Sequence, residues 1–301
     1  MSPLSLTTVI LVCLLWGAGF SFMKVGLQYL PPFLFVGVRF LITAACVALY
    51  MRLLRIQWRF PRPMLWPMAA LTGLFFTQQG ALFVGLKFTT AGRTGVILNT
   101  QPIITALMAH WFVEHDKLTW AKLAGLLMAV FGVFFVFRES FRHFDQGLLI
   151  GDLLTLLAAV GWGVQNVLTK RVVKHVAPPA MTTWQAGGSC VLFLLVSVLF
   201  DPGPIPKRPL DLAFFVAIAY LIFVATVFGF VVWVYLLEHN NPSRVTSFCF
   251  ITPVASVFFG WLILGEAISR DIIVATALVG LGIFIANFQF QPSRLFVWPA
   301  D

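Results

Sequence analysis

Trp162, Gln165, Asn166 and Thr169 stand at i, i+3, i+4 and i+7 of an apolar run, which gathers an indole, two amides and a hydroxyl on one helical face. Groups of this kind stack and hydrogen-bond; they bind a neutral or zwitterionic organic molecule but break no bonds. In an apolar surrounding such a stripe either glues one helix to the next or walls a wet cavity. The aromatic at its head suits the cavity better. The corresponding stripe near the start of the chain is Trp16, Gly19, Phe20 and Met23, apolar and aromatic. If the two face each other, one cavity has a hydrophobic wall and an amide wall. Further amides are Gln78 and Gln79, beside Phe75 and Leu82, and Asn99 and Gln101, next to Pro102. On a regular helix Gln101 aligns with Thr94, Leu98 and Thr105, a cavity face, while Asn99 shares its side with Gly92, Gly95 and Ala106, a packing face.

The residues of bond-making chemistry are scarce. Glu114, Asp116, Glu139, Asp145, Asp201, Asp211, Glu238, Glu266, Asp271 and Asp301 lie at or beyond the ends of apolar runs, and Asp152 falls in the first turn of its run. No carboxylate pair, His-Glu metal pattern or nucleophile triad can be assembled. A catalytic role, a metal and a cofactor are therefore not expected, and with no buried carboxylate no proton-coupling site is visible. Arg39 is the basic residue clearly inside a run; it can snorkel to an interface or pair with a carbonyl, and the structural reading is preferred. Cys13, Cys46, Cys190 and Cys249 sit singly in apolar runs and read as small core residues. Glu114 and Glu266 precede Thr119 and Ser269, which look like helix N-caps, and are expected to organise a short turn there.

The elements that must position these groups are set by composition. With 60% hydrophobic and 10% charged residues among 301, and a mean hydropathy of +0.94, polar side chains are too few to coat a soluble globule. The solvent is lipid. Ten apolar stretches approach the ~20 residues of a bilayer-crossing helix: about 4–23, 33–53, 64–86, 91–112, 118–137, 149–170, 179–200, 211–237, 243–264 and 271–290. Their unbroken apolarity and length exclude a membrane barrel. The first stretch lacks a basic leader and a cleavage pattern, and is expected to be a retained span. Polar breaks at Arg52 to Arg62, Asp201 to Pro209 and Asn240-Asn241-Pro242 are the loops.

The chain also repeats itself. Trp16-Gly17 with Lys24 returns as Trp162-Gly163 with Lys170, and Arg93 with Pro102 returns as Arg244 with Pro253, at identical spacings and an offset drifting from 146 to 151. Pro31-Pro32 matches Pro178-Pro179 in the same frame. Five spans per half is odd, so the second half enters the membrane from the opposite side, as in many secondary transporters. Pro102 lies nine residues beyond Arg93, roughly 13 Å deep at ~1.5 Å per residue, where a missing N–H frees the carbonyl near residue 98. Pro253 mirrors it, and together they are either binding-site breaks or packing kinks. Gly125 with Gly132, and Gly280 with Gly282, read as helix-packing positions. Basic residues in loops (Arg52, Arg55, Arg59, Arg62, Lys117, Lys122, Lys170, Arg171, Lys174) favour both termini in the cytoplasm by a slim margin. The +9 charge is spread along such loops and indicates no nucleic-acid partner.

Trp16-Gly17, Arg39-Phe40, Pro102, Pro253 and Gly265-Glu266 together resemble the EamA repeat of the drug/metabolite transporter superfamily, across about residues 4 to 290. Within it the chain is most similar to the aromatic amino acid exporters of the YddG type. One departure is Val113-Glu114 in the first half where the second has Gly265-Glu266. The resemblance implies an all-α protein of the inner (plasma) membrane, with two inverted five-helix repeats, 4–137 and 149–290, around a central cavity, and a C-terminal tail, 291–301. It implies export of small organic solutes. The cavity residues Trp16, Phe20, Gln78, Gln79, Gln101, Trp162, Gln165 and Asn166, with breaks at Pro102 and Pro253, make aromatic or neutral amino acids the expected cargo, by facilitated efflux or uncoupled exchange. A broad drug or metabolite exporter is the alternative within transport. A lipid-modifying membrane enzyme would need clustered charges at one interface, and the charges are scattered. The oligomeric state is left open, a monomer being compatible.

Overall fold

The computed structural model describes residues 3–58, 61–113, 119–142, 145–201, 206 and 208–287. Glu114, Asp116, Lys117, residues 288–290 and the 291–301 tail lie outside the described residues, as does the Arg244 side chain. Among the described residues ten helical spans follow one another: α1 (Pro3–Leu27), α2 (Pro32–Leu53), α3 (Leu65–Phe88), the pair α4 (Ala91–Leu98) and α5 (Gln101–Phe112), α6 (Trp120–Arg142), α7 (Gln146–Val172), α8 (Pro178–Phe200), the composite α9 (Leu212–Ala219) and α10 (Gly229–His239), the pair α11 (Pro242–Thr246) and α12 (Ile251–Leu264), and α13 (Arg270–Asn287). Seven of these are by themselves long and apolar enough to cross a bilayer. The other three are the two interrupted spans, α4–α5 and α11–α12, and α13. Helices suit this chain because in hydrocarbon every backbone N–H and C=O must be satisfied within its own segment.

Packing obeys the repeat. α6 lies along α13 and α2 along α8, each pair joining equivalent spans of the two halves. α3 lies along α7, and its counterpart is α1 against the α9–α10 span; α1 lies along α12, and its counterpart is α7 against α5. Exchanging the halves maps these principal contacts onto one another, as two copies of one unit require.

The repeated Trp-Gly pair has a steric reason. A Cβ on Gly17 would stand 2.5 Å from Ala255 Cβ and 3.0 Å from the Thr252 carbonyl oxygen, and one on Gly163 would stand 2.5 Å from Ile104 Cβ and 2.9 Å from the Gln101 oxygen. Each glycine thus admits the backbone that immediately precedes Pro253 or Pro102. Gly17→Ala and Gly163→Ala are expected to destabilise the protein by about 1–3 kcal/mol each through overpacking, read as a lowered melting temperature in detergent. Unchanged melting of both would mean that the contact relaxes freely. Gly132 and Gly282 hold the α6–α13 contact in the same way, against Val279 and the Gly125 carbonyl.

The repeated lysines are helix caps. Lys24 Nζ donates to the Thr89 carbonyl at the end of α3, and Lys170 Nζ donates to the carbonyls of Leu237, Glu238 and Asn240 at 2.8, 2.8 and 2.9 Å, at the end of α10. A cation there satisfies orphan carbonyls and meets the negative end of the helix dipole. Glu266 does not organise its own turn as expected: its carboxylate reaches across to accept Ala91 N and Gly92 N at 2.7 and 3.0 Å, capping α4, with Lys24 3.9 Å away. Positive φ at Gly265 (66°) swings Glu266 out of α12. Thr119 and Ser269 cap as expected, accepting Lys122 N and Ile272 N.

Outside the spans, Asp211 caps α9 through Phe214 N and accepts the Tyr29 hydroxyl, with Arg208 3.8 Å over the Tyr29 ring. The Tyr29 hydrogen bond, more than the nearby Arg208 charge, holds the Asp211 carboxyl below the usual range. Its contribution is therefore present above the ordinary carboxylate pKa and is lost as pH falls through the lowered one.

Candidate functional site

Two chambers lie in series at the centre of the bundle. The first is walled by Trp16, Gly19, Phe20, Met23, Arg39, Gln79, Leu98, Asn99, Gln101, Trp162, Ala225, Phe230, Cys249 and Thr252. The second has Gln78, Gln165, Asn166, Thr169, Thr182, Gln185 and Trp233 on its walls, and shares Trp16, Trp162 and Phe230 with the first. The three shared rings form a triangle of edge contacts, with centroids 5.3 Å apart for Trp16 and Trp162, 5.7 Å for Trp16 and Phe230, and 6.1 Å for Trp162 and Phe230.

The stripe of each repeat thus serves a different chamber. From Trp16 the first chamber follows Gly19, Phe20 and Met23 toward the end of α1; from Trp162 the second follows Gln165, Asn166 and Thr169 toward the end of α7. α1 and α7 begin on opposite sides of the membrane, so the stripes diverge from the tryptophans to opposite faces. The two stripes do not face each other across one space: inversion of the repeats sets them end to end, meeting at Trp16 and Trp162. Both stripes stop at a lysine cap, Lys24 or Lys170.

All eight predicted cavity residues border these chambers: Trp16, Phe20, Gln79, Gln101 and Trp162 the first, and Gln78, Gln165 and Asn166 the second, with Trp16 and Trp162 common to both. The amides also bind one another across helices. Asn166 Nδ2 donates to Gln101 Oε1 at 2.7 Å and Thr105 Oγ1 at 3.2 Å, and its Oδ1 accepts Trp233 Nε1 at 3.0 Å. Gln78 Nε2 donates to Gln165 Oε1 at 2.6 Å, and Gln165 Nε2 to Gln185 Oε1 at 3.4 Å. Interhelical bonding and cavity lining coexist in these residues.

Pro102 and Pro253 mark interruptions. Pro102 is the second residue of α5, where a missing N–H costs nothing. The turn before it is held by Asn99 Nδ2 on Gly95 O at 2.6 Å and Thr100 Oγ1 on Ile97 O at 2.8 Å. Pro253 follows a 3₁₀ turn, Ser247–Phe250, near the start of α12. Because the helix stops at Asn99, the regular-helix face assignment fails there, and Asn99 borders the first chamber together with Gln101.

Three further features escaped sequence reasoning. The stretch Tyr220–Phe228 between α9 and α10 is π-helical, and its Ala225 carbonyl accepts Trp16 Nε1 at 2.8 Å. No repeated residue marks Phe230, Trp233 or this bulge, and its polar members Tyr220 and Thr226 form no stripe. Arg39 does not snorkel: it is fully buried on the wall of the first chamber. Asp152 is in the second turn of α7, not the first, and is buried with Arg93: Arg93 Nη2 and Nε meet its two oxygens, Thr89 Oγ1 donates to it at 2.8 Å, and Arg93 Nη2 also reaches Val136 O at 2.7 Å. A buried carboxylate therefore exists, contrary to expectation, but it is neutralised and borders neither chamber.

The EamA-like transporter family matches the chain twice, over residues 4–138 and 149–288. An uncharacterized transporter, YoaV, of Bacillus subtilis (strain 168) is 33% identical over 293 residues, covering 95% of this chain and 98% of that one. A protein named as a probable amino-acid metabolite efflux pump in Salmonella typhimurium (strain LT2) is 30% identical, with 95% of each chain covered. One of the same name in Escherichia coli (strain K12) is 28% identical over 94% of each. A solved crystal structure shares the fold, with a TM-score of 0.71 at 21% identity over 95% of this chain and 98% of that one.

Proposed function

This chain belongs to the EamA-like transporter family, and on that premise we propose that it exports neutral or zwitterionic organic solutes, aromatic amino acids foremost, by alternating access with both termini in the cytoplasm. The observation that carries the reading is the ring triangle of Trp16, Trp162 and Phe230 shared by two chambers, one lined along α1 and the other along α7. An aromatic solute stacks on these rings from either side. Repacking them hands the solute from one chamber to the other. The two-repeat architecture supplies the rocking halves, and relatives named as amino-acid metabolite efflux pumps support the direction and the solute class. Among the described residues no carboxylate lines either chamber, which favours uncoupled exchange.

Proteoliposomes loaded with phenylalanine, tyrosine or tryptophan test this. Saturable counterflow of labelled aromatic amino acid, indifferent to an imposed pH gradient, is the expected result; absence of counterflow for all three would sink the solute assignment. Comparable transport of unrelated organic cations would replace it with a broad-specificity exporter.

Asn166 joins both roles. Asn166→Leu strands the Trp233 N–H and Gln101, so a stability loss of about 1–3 kcal/mol should accompany reduced counterflow. Hydrocarbon tolerates leucine, but the three hydrogen bonds of Asn166 make its loss felt in folding. Gln165→Leu, facing the chamber with fewer bonds, should lower counterflow with little change in melting. Normal counterflow in both would confine the amides to packing.

A further inference from the structure

Arg39 is, with Arg93, among the largest fully buried side chains of the described residues, and its guanidinium is a cation that can donate but not accept. Its Nε and Nη2 both donate to one oxygen, Thr226 Oγ1, at 3.1 and 2.5 Å, and its carbon Cζ lies 5.2 and 5.7 Å from the rings of Phe40 and Phe83. Thr226 is itself held in the π-helical stretch by donating to Leu221 O at 2.7 Å. Nη1 has no acceptor. Among the described residues no carboxylate pairs with Arg39. The contrast with Arg93 is instructive, because that equally buried arginine has a full carboxylate partner. A buried cation left with one shared hydroxyl and two ring faces is costly. The cost is offset once an anion arrives.

The position says which anion. Arg39 borders the first chamber together with the rings of Trp16, Phe20, Trp162 and Phe230, and Gln79, whose Oε1 also lacks a donor, borders the same space. We propose that Arg39 is the carboxylate subsite of the first chamber, its planar fork taking the α-carboxylate of an aryl-bearing solute while the rings take the aryl group. Gln79 offers its oxygen to the ammonium of the same molecule. A planar guanidinium matches a carboxylate two N–H groups at a time, so the subsite selects acids over amides and amines of equal shape. It rests on the solute class proposed above but is read on binding, independently of transport.

The test compares 3-phenylpropionate with 3-phenylpropanamide, a pair differing only in the carboxylate, by calorimetric titration of the purified full-length protein. The parent should bind the acid at least about tenfold more tightly than the amide, as befits a hydrogen bond to a charged group. In Arg39→Gln the acid-to-amide ratio should fall to about one. Arg39→Lys, which keeps the charge but not the fork, should give an intermediate ratio, and serves alone if Arg39→Gln does not accumulate. A ratio near one in the parent, an unaltered ratio in the variants, or no binding of either probe overturns the assignment. A tenfold ratio lost in Arg39→Gln, in a protein that fails to move any amino acid in counterflow, would uphold the subsite and sink the transport reading alone.

Discussion

Asp152→Asn is expected to cost about 3–5 kcal/mol of stability, the loss typical of removing one partner from a buried ion pair. The asparagine keeps the shape and the Thr89 hydrogen bond but leaves the Arg93 guanidinium, with a side chain only 2% exposed, facing a neutral group. Arg93 also reaches the Val136 carbonyl, so the pair ties α4, α6 and α7 together. The loss should appear as low yield in the membrane and a broad, lowered melting transition in detergent. Arg93→Met combined with Asp152→Leu removes both charges and should recover most of the stability, since apolar packing replaces a buried pair at little cost. An unperturbed Asp152→Asn protein would show that water reaches the pair.

Trp16→Ala should reduce counterflow on the order of tenfold or more while Trp16→Phe retains most of it. Trp16 contacts Trp162, Phe230 and Trp233, the last at 4.9 Å, and hangs by Nε1 from Ala225 O. Each ring contact is worth about 0.5–1.5 kcal/mol beyond its buried area, and every ~1.4 kcal/mol is a factor of ten. Removing the indole also joins the two chambers into one path. The second expected sign is therefore a leak: efflux of internal solute that no longer depends on solute on the opposite side. Trp162→Ala should behave alike, as the matching residue of the other repeat. Tight, coupled exchange in both alanine variants would mean that the partition lies elsewhere.

The EamA-like family match and the efflux-pump relatives bear on the class of protein; which residues select the solute is decided at the level of these experiments. The sequence is nevertheless unusually readable. Hydropathy located the ten spans because lipid permits few alternatives to a helix of about twenty apolar residues. Repetition marked Trp16-Gly17, Lys24, Pro102 and their partners, since two copies of one unit must solve the same packing problem twice. Helical periodicity picked out Gln165 and Asn166, as an amide in hydrocarbon needs a partner or a cavity.

Tertiary structure decided the rest, wherever the answer depends on another span. That the two stripes diverge into separate chambers follows from how inverted halves dock, which no single stripe records. Asn99 borders a chamber because the helix breaks beside it, an event beyond helical periodicity. Glu266 caps α4 rather than its own turn because a left-handed Gly265 brings it beside a helix start far away in the chain. Arg93 and Arg39 look alike as single basic residues near apolar runs; only the fold gives one a carboxylate and leaves the other without, because the nearest charge to a buried side chain is chosen by packing in three dimensions and not by distance along the chain.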